Sequence, residues 1–169
     1  MMDYAELVIE AALRAGTPEV PARAAHFVTQ AERDLEKVMR VRQMEATATL
    51  TADSDGKAPL PADFLAFRTD GKTSWPVSGN DILTRPGAVF DLSYYAKLPS
   101  VVTSGTNWLL DLEPEIYLLA VLVQIYAAAG DDRLLATGQV LAERVRAFIR
   151  EDRIARYGAQ KINIAGVAR

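Results

Sequence analysis

Apolar residues return every three or four positions through Leu7, Val8, Ala11 and Ala12, a period that predicts an amphipathic helix over Tyr4 to Ala15. Gly16 supplies its C-terminal cap, and the "TPEVP" that follows breaks the chain. The same period restarts near Pro21, a favoured first-turn residue, and carries Ala24, Phe27, Val28, Ala31, Leu35, Val38 and Met39 along one face to about Arg42. Between Ala46 and Pro99 the pattern changes. "ATATLTA" alternates, "DSDGK" is turn chemistry, "PLPADFLAFR" predicts a fixed turn and then a helical turn or short strand, and "GKTSWPV" is a further strand. In "AVFDLSYYAKL", Phe90, Leu92 and Tyr94 share one face while Val89, Asp91, Ser93 and Tyr95 share the other. This block predicts one small antiparallel sheet. After a "LPSVVTSGTNWLL" linker, two more helices are expected, Pro114 to Ala129 and Asp131 to about Tyr157. Gly130 ends the first of them and an Asp caps the second.

The resulting fold class is mainly α. Two N-terminal and two C-terminal helices form a four-helix-type bundle with a small antiparallel β insertion at about 46–99. Residues 1–157 make one domain, and the aperiodic 158–169 an extended C-terminal tail. In the last helix Leu134, Leu141, Val145, Phe148 and Ile149 form the apolar seam, and Arg146, Arg150 and Arg153 line another face. The helix from Ile116 to Ala129 is almost without charge but too short to span a bilayer, so it is expected to be covered by neighbours on several sides. Trp108, Leu109 and Leu110 would lock the preceding linker onto the bundle. If the indole is buried, Trp108→Ala should cost about 3–5 kcal/mol.

Charge divides the chain. Residues 133–169 hold eight Lys/Arg against three Asp/Glu, an excess of +5, whereas residues 1–132 hold eleven against nineteen, or −8. Such asymmetry suggests parts that meet different partners, or each other between copies. The N-terminus is acidic at Asp3, Glu6 and Glu10, unlike a secretory leader.

Catalytic patterns are scarce. The chain has no cysteine, and a single histidine, His26, cannot assemble a metal site alone. Asp53/Asp55, Asp111/Glu113/Glu115 and Asp131/Asp132 fall at turns and helix starts, where acids cap backbone and suit the helix dipole. Asp111 with Glu113 is the one pair left for acid/base work. No phosphate loop, GxSxG or Ser/His spacing occurs. The Arg146/Arg150/Arg153 stripe could meet phosphates, although Glu143, Glu151 and Asp152 dilute it and no aromatic residues interleave. In the tail, Ile162 and Ile164 have the alternate spacing of a segment that orders on a partner.

The order of pieces "YAELVIEAALRAG", "FVTQAERDLEKVMRVR", "LPADFLAFR", "FDLSYYAKLPSV" and "TNWLLDLEPEIYLLAVLVQIYAAAGDDR" resembles the head-to-tail adaptor (connector) family of tailed bacteriophages. Relative to the family pattern, "PVSGNDILTRPGAV" is compact, which implies a reduced sheet. The resemblance implies a structural protein with neither catalysis nor cofactor. It implies a dodecameric ring beneath the portal protein, at the neck of the virion and assembled in host cytoplasm, that extends the DNA channel. Its partners would be the portal, a tail or stopper/nozzle protein, further copies of itself, and passing DNA without sequence-specific contact; no membrane is involved. Docking on the portal would use the tail, with Tyr157, Lys161, Ile162, Ile164, Val167 and Arg169. Trp108, Leu109, Leu110, Tyr117 and Tyr95 would serve packing or the ring interface, and Arg146, Arg150 and Arg153 a charged interface. A stopper or tail-completion protein and a DNA-binding accessory protein are the alternatives.

Overall fold

Asp3 opens the first helix with a capping box: its carboxylate accepts from the Glu6 amide while Glu6 accepts from the Asp3 amide. The computed structural model describes residues 2–17, 20–68 and 75–157. Helix α1 (Tyr4–Ala15) ends at Gly16, whose φ of 69° is the left-handed conformation that a C-terminal cap requires. Helix α2 (Val20–Val38) stops short of the expected Arg42. Arg40 folds back onto the carbonyls of Glu36 and Met39, and a 3-10 turn at Arg42–Met44 leads into the β region. Val38, expected on the buried face, is 59% exposed.

The β region divides into two three-stranded antiparallel sheets where one was expected. Strands β1 (Glu45–Thr51), β3 (Phe64–Phe67) and β6 (Val89–Ala96) form the first, with β6 central. Strands β2 (Lys57–Pro59), β4 (Val77–Ser78) and β5 (Asp81–Leu83) form the second, with β5 central. The division has a local cause. Pro59 and Pro61 have no amide proton, so the chain cannot carry one ladder from β2 into β3. At the turn before β2, Gly56 approaches the Thr84 carbonyl so closely that a Cβ would lie 2.3 Å from the oxygen. The alternation in β6 holds, since Leu92 and Tyr94 are buried and Val89 and Asp91 exposed. Most of the strand expected over "GKTSWPV" lies outside the described residues.

The "linker" after β6 is also ordered into helices, α3 (Val101–Ser104) and α4 (Trp108–Leu112), because Asn107 caps α4 through the amides of Leu109 and Leu110. After one residue, Glu113, Pro114 starts α5 (Pro114–Ala129); Gly130 ends it, and the Asp131 carboxylate accepts from the Arg133 amide to start α6 (Arg133–Tyr157).

These helices do not form a simple four-helix bundle. Helix α5 is the axis, and α1, α2, α4 and α6 each pack against it. That enclosure explains its near absence of charge: every residue from Ile116 to Leu122 is buried. Helix α6 leans on α5 and leaves an open cleft against α2. A second, smaller core of Ala52, Ala58, Ile82, Leu92 and Tyr94 lies among the sheets.

Candidate functional site

Three constructions connect the helices to the sheets and set what the surface presents. The first is buried. Glu32 of α2 accepts from the Tyr117 hydroxyl (2.5 Å) and from the Val101 amide (2.8 Å), and one turn later Glu36 accepts from the Leu98 amide (2.8 Å). Asn107, besides capping α4, donates to the Tyr117 oxygen (3.2 Å) and to the Pro99 carbonyl (2.6 Å). Two carboxylates on α2 thus hold the peptide leaving the first sheet, and Tyr117 ties it to α5. Burial, and then the Glu32 contact, push the Tyr117 hydroxyl far above its usual range. Sequence reading placed Tyr117 among the packing residues but passed over Glu32. The signal was an acid inside the apolar stripe Val28, Ala31, Leu35.

The second construction fastens the end of α6. Asp152, 7% exposed, accepts from the Arg42 side chain (2.7 Å) and amide (3.2 Å). Glu45 pairs with Arg156 and, at 3.2 Å, with Arg68. The strand start, the end of β3 and the last turn of α6 therefore meet in one charged cluster. It fastens the last turn of α6 to the first sheet. Asp152 also sits on an apolar seam, one turn after Phe148, so it too carried a sequence signal.

The third construction is the corner at 130–133. Arg133 lies over the Tyr126 ring, 4.4 Å from its centre, and donates to the Ala15 carbonyl (3.0 Å), covering the exposed end of α1. Asp131 grips the same guanidinium, whose hydrogen bonds draw its carboxyl down to about 2.

Of the residues expected to matter, Leu109, Leu110 and Tyr117 are completely buried within the chain. Trp108 is only partly buried, stacked on Phe148 with ring centres 6.5 Å apart, because α4 lies at the edge of the bundle. The truncation cost expected of a buried indole therefore falls. Tyr95 is partly buried where β6 meets the helices. Arg146, Arg150 and Arg153 are exposed and make no ion pair with described residues. Tyr157 closes α6; Lys161, Ile162, Ile164, Val167 and Arg169 lie outside the described residues.

Of the acid/base candidates, Asp111 accepts from the Thr106 hydroxyl (2.9 Å), and Glu113 stands at the joint between α4 and α5. His26 is exposed, edge-on to Phe27. Among the described residues no three His, Cys, Asp or Glu side chains gather as metal ligands would, and no helix is long and apolar enough to cross a membrane.

The helical frame with its two small sheets, tied by buried polar contacts, carries charged and apolar surfaces outward. Residues 2–86, from α1 through β5, match the SU10 adaptor protein family, and the chain belongs to this family of phage head-to-tail adaptors. No curated protein matches the chain. Membership makes it a phage structural protein that meets other components of the particle.

Proposed function

We propose that the protein is the subunit of a dodecameric ring beneath the portal, extending the DNA channel and offering the tail its attachment site. The family match carries this reading. The cluster of Asp152, Arg42, Glu45, Arg68 and Arg156 suits it, because it holds the last turn of α6 against the start of β1, a firm base for a docking segment. The acidic balance of residues 1–132 suits a channel wall, since like charge keeps a sliding phosphate chain from sticking.

Native mass spectrometry of the full chain mixed with its portal ring tests the reading. One subunit bound per portal subunit, lost on removal of residues 158–169, is the expected result. Binding that survives truncation discards the tail as the docking segment. No binding by the full chain favours a stopper or tail-completion protein.

A second reading rests on the exposed Arg146, Arg150 and Arg153, which could hold duplex DNA as an accessory protein would. Binding that weakens steeply with added salt, and is lost when the three are replaced by serine, would establish it through counterion release.

A further inference from the structure

Two apolar features lie on opposite sides of the bundle. On α1, Ile9 and Leu13, one turn apart, are 60% and 72% exposed, and with Ala12, Gly16 and Pro21 they make a continuous shallow apolar surface. Between α2, α5 and α6 lies a cleft of about 200 Å³ walled by Leu35, Val38, Ala120, Val123, Leu141 and Val145. Gly138 leaves its α6 wall bare, with no atom within 4 Å of where a Cβ would stand. A dry apolar cavity of ~150 Å³ accepts a benzene ring, so this cleft has room for branched side chains.

The periodicity of α5 fixes their relation. Arg14 and the end of α1 meet α5 at Glu115 and Tyr126, which lie on one side of that helix. Ala120 and Gln124, in the cleft, lie about half a turn round from them. One copy therefore cannot insert α1 into its own cleft, and two copies cannot satisfy both features by a two-fold contact of one patch with itself. Each copy can offer its ridge to one neighbour and its cleft to another.

Charge agrees with this pairing. Helix α1 with its cap carries Asp3, Glu6 and Glu10 against a single base, Arg14, which is already shared by Glu10 and Glu115. The cleft's α6 rim carries Arg146, one turn beyond Ala142, and then Arg150, both exposed and unpaired among described residues. On the α2 rim, Asp34 is occupied by Lys37 and Gln124.

We propose that the cleft between α2, α5 and α6 receives the Ile9/Leu13 ridge of a second copy of this chain, with the acids of α1 against Arg146 and Arg150. Such a head-to-tail contact closes into a ring when its rotation permits, whereas a self-paired patch stops at a dimer. The inference rests on the ring reading above for its closure and adds which surfaces make it.

The cysteine-free chain makes the test direct. In the full-length protein, Leu13→Cys with Val38→Cys should give a ladder of covalent multimers on mild oxidation. Each single variant alone should give no crosslink, and an equal mixture of the two should stop at a covalent dimer. Adding Gly138→Leu, whose Cβ meets no atom within 4 Å and whose side chain fills the cleft, should abolish the ladder without lowering the melting temperature. Dimers from Leu13→Cys alone, or a ladder that survives Gly138→Leu, overturn the proposal. No ladder while the unmodified chain forms closed oligomers by native mass spectrometry overturns the surface and leaves the ring; neither ladder nor oligomer overturns both.

Discussion

Glu32 is buried, charged in sequence terms, and central to how the chain leaves its sheet. Replacing it with alanine removes the acceptor of both the Tyr117 hydroxyl and the Val101 amide, leaving two donors orphaned in the core. Glu32→Ala should therefore cost roughly 2–4 kcal/mol, read from denaturant unfolding. An unchanged midpoint would mean that the contact is incidental. Asp131 makes a prediction in pH. Its carboxyl, held by Arg133, titrates at about 2 instead of 3.8. A depressed folded value means that the unfolded chain takes up the proton first. The contribution is fully present above pH ~4 and is lost as pH falls toward ~2. Asp131→Asn should flatten the acid limb of a melting-temperature profile across that window and leave the neutral plateau's slope unaltered. Neither residue was hard to see in the sequence, but they were legible to different degrees. Asp131 follows a glycine and precedes a helix, so its capping role could be read from neighbours. Glu32 has partners at 101 and 117, which no local pattern can supply.

At the scale of elements, α1 and α5 were legible because the buried stripe of one and the uncharged run of the other each stop at a glycine with positive φ. What was not legible depends on backbone partners. The two prolines that divide the β region were in view, but which strands pair after the break is set by contacts between β2 and β5. The segment before α5 read as a linker because α3 and α4 are too short to show a period. Asn107, whose side chain caps α4, was the available sign. This correction shifts the weight of packing from Trp108 to its neighbours. Leu110→Ala should cost about 2–5 kcal/mol, since the side chain is completely buried. Trp108→Ala, losing one face of a partly exposed ring, should cost about 2 kcal/mol. Denaturation of the two variants side by side checks the order; a larger loss for Trp108 would contradict the assignment of the lock to the leucines.

For the molecule as a whole, the enclosure of α5 has a consequence for its synthesis. The ribosome joins α1, α2 and both sheets before it adds Ile116 to Tyr126, yet those later residues are what Leu7, Ala11, Val28 and Leu35 pack against. The nascent amino-terminal half carries apolar faces without a partner, the condition in which chains aggregate or are bound by chaperones. A released chain ending at Pro99 should be degraded promptly by added protease. One ending at Ala129 should gain resistance, because it contains the axis of the fold. If both are equally protected, the first half has a core of its own. If the gain appears with α5, subunits reach their partners only as finished chains, and the order of translation sets the earliest moment at which assembly can begin.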